Sequence, residues 1–228
     1  MFDLLKPLLT AALSLLPAAA LTAPVASESS FWQSEVDVGN LPPVAQRLPA
    51  QPLVVDLAAN GRDFGVQGGT LNTMVTRSKD IRQMVVYGYA RLAGYDDQYQ
   101  LRPDILLDFE NEANRRFTLR LRPGHRWSNG DPFTSDDFRY WWEDVANNPL
   151  LNPAGPPDFL RVKGTLPRVS FPDETTVVYE WDLPNPGFLH NLALARPPFI
   201  YRPAKFLKTF HADYADPATL AEEVDYAR

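Results

Sequence analysis

Three groups of residues have types and spacings that could do chemistry. Carboxylates come in close pairs, Glu110 with Glu112 and Asp136 with Asp137, and two carboxylates facing one cleft are what glycoside hydrolysis needs. Adjacent positions on a helix diverge by about 100°, so Asp136 and Asp137 do not share a site easily, and Asp137 is better explained as part of a helix cap. Gly61, Gly65, Gly68 and Gly69 form a second group. They match neither a dinucleotide nor a phosphate loop, because their spacing is wrong and they precede a strand instead of joining one to a helix; they read as turns. The third group is Thr76, Arg77, Ser78 and Lys79, at a strand end that opens into a helix N-terminus, where backbone donors collect. These four are the candidate ligand contacts, and a solvated loop capped by Ser78 or Asp80 is the competing use. Tyr95 is a further candidate, as the wall of a pocket together with Tyr99, against a plain packing role.

No G-x-S-x-G elbow, H-E-x-x-H pair or phosphate loop occurs, so no catalytic residue is assigned and the chain is not read as an enzyme. There is no Cys and there are only three His, which removes thiolate zinc sites, iron–sulfur clusters and a cysteine nucleophile, and leaves no His-rich metal site. No metal and no cofactor is implied.

Elements must hold these residues in place. Leu53-Val54-Val55 reads as a short strand, and Thr70 to Val75 alternates well enough to be another. Asp80 to Ala93 carries an apolar stripe through Ile81, Met84, Val85, Tyr87 and Leu92, which predicts a helix closed by Gly94. Tyr95 to Asp104 follows as a polar turn region. Phe117, Leu119 and Leu121 alternate with Thr118, Arg120 and Arg122, giving a strand with an apolar and a basic face. Pro123-Gly124 then turns the chain into a second strand, His125-Arg126-Trp127. The basic face, Arg120, Arg122 and Arg126, could meet a carboxylate or simply be solvated.

After the turn Asn129-Gly130-Asp131-Pro132, Thr134 stands three residues before Asp137, and a capped helix should begin there. Phe138, Trp141, Trp142 and Val145 fall at i, i+3, i+4 and i+7, a spacing that fits core packing better than ligand stacking. Arg168 to Phe171 and Thr175 to Trp181 predict a hairpin around Pro172-Asp173-Glu174. Phe188 to Leu194 predicts a short helix, and Pro203 to His211 another. Hairpins interleaved with helices make the fold class α/β in the mixed α+β sense.

The chain has 228 residues, 45% hydrophobic and 12% aromatic, enough to bury a sizeable core. A net charge of −6 has the wrong sign for gripping phosphate backbones, so no nucleic acid is expected as partner. From Leu4 to Ala26 the only charge is Lys6. The apolar run Leu8 to Leu16, then Pro17 and Ala18-Ala19-Ala20, reads as a signal peptide over residues 1–26. Residues 27–60, with Pro42-Pro43, Pro49, Pro52 and several Ser, read as an irregular lead-in. Without a Cys after the leader there is no place for a lipid anchor, so the mature chain is expected to be free in the periplasm.

The stretch Phe117 to Phe138, F-T-L-R-L-R-P-G-H-R-W-S-N-G-D-P-F-T-S-D-D-F, resembles the corresponding segment of family 5 extracellular solute-binding proteins, which serve peptide and nickel ABC importers. Gly68-Gly69-Thr70-Leu71 is similar to the family's first strand, Leu101 to Leu106 to its Leu-x-Pro-x-Leu-Ala step, and Phe171 to Tyr179 and Leu183 to Leu189 to its later hairpin and Pro-x-Pro-x-Phe-Leu step. The sequence departs from the family at Leu107-Asp108-Phe109-Glu110 and at Arg77-Ser78-Lys79-Asp80. The resemblance implies a type II periplasmic-binding-protein clamp, two lobes closing on a ligand by population shift, with only the first lobe largely present here and residues 61–228 forming that incomplete lobe. It implies a small peptide or other small solute as cargo, held as an added strand, an ABC permease in the inner membrane as partner, and a monomer. Nickel, opines and sugar oligomers are alternative cargoes; an exported carboxylate-dependent hydrolase and an envelope scaffold protein are the alternative functions.

Overall fold

A computed structural model describes residues 26–59, 61–66, 68–84, 90–218 and 220–221. The signal-peptide reading, Ala26 apart, and most of the closing segment after Asp216 lie outside the described residues.

The strands are β1 (Ala93–Tyr95), β2 (Leu101–Pro103), β3 (Leu106–Glu112), β4 (Arg116–Leu121), β5 (Arg168–Asp173) and β6 (Thr176–Glu180); the α-helices are α1 (Gln33–Asp37), α2 (Val44–Arg47), α3 (Ser135–Tyr140), α4 (Phe188–Leu192) and α5 (Ala204–Leu207). The alternation in β4 organises the core. Phe117, Leu119 and Leu121 are buried, and β4 lies inside an antiparallel sheet of order β3-β4-β6-β5. Phe117 sits opposite Tyr179, and Leu119 opposite Val177. Phe138 from α3, Trp141 just beyond it, Phe188 and Leu192 from α4, and Ile200 complete the same apolar cluster. The mixed α/β class is therefore observed. Trp141 and Trp142 belong to this packing, Trp141 buried and Trp142 partly buried against it.

The other face of the sheet is laced with exposed ion pairs. Arg120 reaches Asp108 and Glu110, Arg116 reaches Glu112 and Glu180, and Arg168 reaches Glu180 and Asp182. Each contributes little alone, but opposite charges at facing positions favour this register over a slipped one.

The predicted cap is present. Thr134 Oγ1 accepts the Asp136 N–H at 3.3 Å while Asp137 Oδ2 accepts the Thr134 N–H at 2.9 Å, closing a capping box at the start of α3. Beyond Tyr140 the helix continues as a π-helical stretch, Trp141–Ala146. Ser135 Oγ donates to the Asp173 carbonyl at 2.6 Å, which fixes α3 to the end of β5. The hairpin β5–β6 and the helices α4 and α5 also form where the sequence places them, with α5 extended by a 3-10 turn, Lys208–Phe210.

Other expectations are corrected. Leu53 to Val55 and Thr70 to Val75 are irregular and exposed, because no strand among the described residues pairs with either. The helix predicted from Asp80 begins as a 3-10 turn, Ser78–Met84; residues 85–89 lie outside the description, and Ala93 opens β1 instead of closing a helix. The polar region after it holds a two-stranded hairpin, β1 with β2. His125 to Trp127 is not a partner strand of β4. Gly124 has φ +80°, a conformation that turns the chain off the sheet edge, and the segment folds back on residues 131–133 through Trp127 N–H to Asp131 O (2.8 Å) and Phe133 N–H to His125 O (2.8 Å). β4 is flanked instead by β6, part of the predicted hairpin, and by β3, for which the sequence predicts no strand. In the lead-in, α1 and α2 are short, and Ala50 N–H to Pro123 O (3.0 Å) and Arg122 Nη1 to Gln51 O (2.8 Å) tie it to the end of β4.

Candidate functional site

The β1–β2 hairpin is held by one carboxylate. Asp96 accepts the backbone N–H of Gln98 (3.0 Å) and of Gln100 (2.7 Å), and the Arg102 Nε–H at 2.9 Å. The Gln100 N–H, then the Arg102 guanidinium, keep its carboxyl below the ordinary carboxylate range. Behind the hairpin, Arg91 donates through Nε to Leu194 O (2.9 Å) and through Nη2 to Ala195 O (3.2 Å), while Asp104 Oδ2 accepts the Arg91 N–H (3.1 Å). These contacts set the hairpin against the end of α4 and shape a cleft of about 990 Å³.

One wall of the cleft is Leu53 to Asp56 and the opposite one is the hairpin, with Tyr95, Asp96, Asp97 and Arg102; Arg62 and Arg91 also line it. Among the described residues, no hydrogen bond engages the main chain of Leu53 to Asp56. The cleft therefore combines unpaired backbone, an apolar strip and charges of both signs, a mixture suited to an elongated polar ligand. Arg122, only 7% exposed, braces the floor through Nη1 to Gln51 O and Nε to Asp104 O (3.2 Å).

Tyr95 is 48% exposed and lines this cleft. Its Oη lies 2.6 Å from His190 Nδ1, and the two rings stack with their planes 16° apart. Thr76 and Arg77 form a bend, Ser78 and Lys79 begin the 3-10 turn, and all four are exposed away from the residues that line the cleft. Asp80, not Ser78, closes this bend, its Oδ2 accepting the Arg77 N–H at 3.0 Å. The structure thus brings Tyr95 to a cleft and leaves the other four candidates apart from it. His190, Arg91 and Arg102 were not singled out in the sequence. Only Asp96 left a local signal, its carboxylate folding back on the backbone two residues ahead.

The paired carboxylates separate. Glu110 engages Arg120, Glu112 engages Arg116, and Asp136 engages Arg139 and Lys208 on the surface. Asp137 is buried and accepts N–H groups from Thr134, the Trp127 indole (3.0 Å) and Ala204 (2.9 Å). Of the basic face, Arg120 is taken up by the sheet's own carboxylates, Arg122 is buried, and Arg126 donates to Gly130 O at 2.8 Å.

The family model of bacterial extracellular solute-binding proteins, family 5 Middle, matches residues 100–223, from the β1–β2 turn through the sheet and its capped helix. This chain belongs to that family. Among family relatives, the periplasmic alpha-galactoside-binding protein of Rhizobium meliloti (strain 1021) is 27% identical over 207 residues, which cover 81% of this chain and 29% of that protein. The periplasmic murein peptide-binding protein MppA of Escherichia coli (strain K12) is 27% identical over 62 residues, 27% of this chain and 12% of that protein. Among solved structures, the oligopeptide-binding protein OppA superposes with a TM-score of 0.71 at 30% identity, covering 86% of this chain and 30% of that one. MelB from Agrobacterium fabrum C58, in complex with stachyose, shares the fold with a TM-score of 0.64 at 23% identity, covering 88% of this chain and 34% of that one. The chain spans about three tenths of the length of the alpha-galactoside-binding protein and of OppA.

Proposed function

We propose that this chain is part of the substrate-binding component of an ABC importer, which takes up oligopeptides or similar small solutes in the periplasm, passes them to a permease in the inner membrane and changes none of their bonds. Residues 1–26 act as the export signal, 27–60 as a lead-in and 61–228 as the incomplete first lobe of a monomeric two-lobed clamp. The observation that carries the peptide reading is the main chain of Leu53 to Asp56, unpaired among the described residues, beside the charged β1–β2 hairpin. A peptide laid in the cleft can pair with that backbone as an added strand, while Arg62, Asp97 and Arg102 answer its charged ends. Tyr95 contacts the ligand in the cleft; Thr76, Arg77, Ser78 and Lys79 are proposed as exposed donors that meet it beyond the cleft. The names of OppA and MppA support peptides.

A sugar oligomer is the second reading. The stacked Tyr95–His190 pair favours it, since flat rings with polar tips suit a sugar's apolar face and its hydroxyls, and the alpha-galactoside-binding relative agrees.

Calorimetry and thermal shift with di- to hexapeptides, and separately with raffinose and stachyose, test both. Saturable peptide binding in the micromolar range without product, weakened about tenfold or more by Tyr95→Ala, is the expected result. Binding of the sugars alone overturns the peptide reading in favour of the second. Product formation supports a hydrolase, and silence from every solute supports a scaffold; either outcome rejects the importer.

A further inference from the structure

A second cavity, of about 330 Å³, shares no lining residue with the cleft. Its walls include Ile105, Trp127, Phe133, Phe199 and Tyr201, and it is edged by Arg126 and Arg202. The rings hold one another in mainly edge-to-face or tilted contacts: Trp127 with Phe133 at 5.4 Å and 80°, Phe133 with Tyr201 at 5.2 Å and 77°, Phe199 with Tyr201 at 6.0 Å and 85°. Phe133 and Tyr201 are themselves buried. The aromatic wall is therefore rigid, and a ligand that enters does not have to order it.

Two guanidinium groups supply the positive charge at this cavity. Elsewhere Arg47, Arg102, Arg116, Arg120, Arg139, Arg161 and Arg168 have carboxylate partners. Among the described residues Arg126 and Arg202 have none: Arg126 Nη1 donates to Gly130 O, and Arg202 Nη1 donates to Phe199 O (3.0 Å) and Tyr201 O (2.8 Å). A guanidinium offers five N–H donors in a fork shaped for a carboxylate, so both keep donors to spare. Asp104, the nearby carboxylate, already accepts the Arg91 N–H.

We propose that this cavity binds a small aromatic carboxylate, with its ring against Trp127 and Phe133 and its charge met by Arg126 and Arg202. The volume lies near the lower end of the roughly 300–1,000 Å³ typical of small-molecule pockets, which fits one ring with a short acid arm and excludes an oligopeptide. The site is independent of the cargo cleft and of whether that cleft takes peptides or sugars.

The test titrates the chain with indole-3-acetate and 3-phenylpropionate by calorimetry, with the corresponding neutral amides as isosteres. Saturable binding of at least one acid, at least about tenfold tighter than its amide, is expected. Arg126→Gln should weaken it by about tenfold, and Arg168→Gln, on the distant sheet edge, should leave it unchanged. Arg202→Gln should act like Arg126→Gln; should circular dichroism show that it unfolds, the exposed Arg126 decides. No saturable heat with either acid, an amide that binds as well as its acid, or equal loss from Arg168→Gln and Arg126→Gln would each overturn the site.

Discussion

Asp137 joins three parts of the lobe at one side chain. Its carboxylate collects the Thr134 N–H at the head of α3, the Trp127 indole and the Ala204 N–H at the head of α5. Burial pushes its carboxyl above the usual carboxylate range in spite of these donors. A raised folded-state value means that the stability this group contributes is fully present below the unfolded value, near 3.9, and is lost as pH rises through the folded one. Asp137→Asn places an amide NH₂ against one of three N–H donors, and at neutral pH the lobe should lose about 1–3 kcal/mol. Thermal melts should show the parent's advantage over the variant shrinking as pH climbs through that window. His125 behaves in the opposite way. Burial, then the charge of Arg122, pushes its imidazole below 6.5, so the unfolded chain takes the proton first and stability falls as pH drops below about 6.5. His125→Gln should flatten the melting temperature over that interval; an unchanged slope would assign the acid sensitivity elsewhere. The role of Asp137 as a cap was legible because capping is local, three residues from Thr134. Tyr95 with His190 was not, because 95 positions separate them and neither carries a mark of the other.

At the scale of elements, the sequence shows a strand clearly when its own alternation sorts the two faces, and poorly when the sorting is done by a neighbour. β4 has three apolar residues on the core side and could be read directly. In β3 only Leu106 is buried, and Asp108, Glu110 and Glu112 owe their places to Arg120 and Arg116 across the ladder, information that is non-local by construction. The α3 helix is the reverse case, since its start is written in Thr134 and Asp137. Thr134→Ala leaves the Asp136 N–H without its acceptor and should cost about 0.5–2 kcal/mol in denaturant unfolding, with Thr134→Ser recovering most of it. If Ala and Ser behave alike, the helix is held by its tie to β5 through Ser135 and not by its cap.

Across the whole molecule, the core from Leu92 to Tyr201 contrasts with the arm that precedes it. Phe64 is 87% exposed, Val66 96% and Met74 100%, in a segment that forms no strand among the described residues. The alternation of Thr70 to Val75 records a capacity to pair, and alternation does not name the partner; for that reason the strand was predicted and is not found. Exposed apolar side chains without core contacts contribute almost nothing to folding, so Val66→Ser and Met74→Ser should each leave the unfolding free energy within about 0.5 kcal/mol of the parent. Loosely held backbone is also where proteases cut first. Limited thermolysin digestion followed by mass spectrometry should show the earliest cleavages between Phe64 and Val75, leaving the fragment that carries β3 to α5 intact. The lead-in should survive as a separate piece that stays associated, because Ala50 and Gln51 are bonded to Pro123 and Arg122. First cuts inside the sheet, or a large loss of stability from Met74→Ser, would mean that the arm packs against the core in solution, and the stable part of the lobe would then begin at residue 61 and not after the arm.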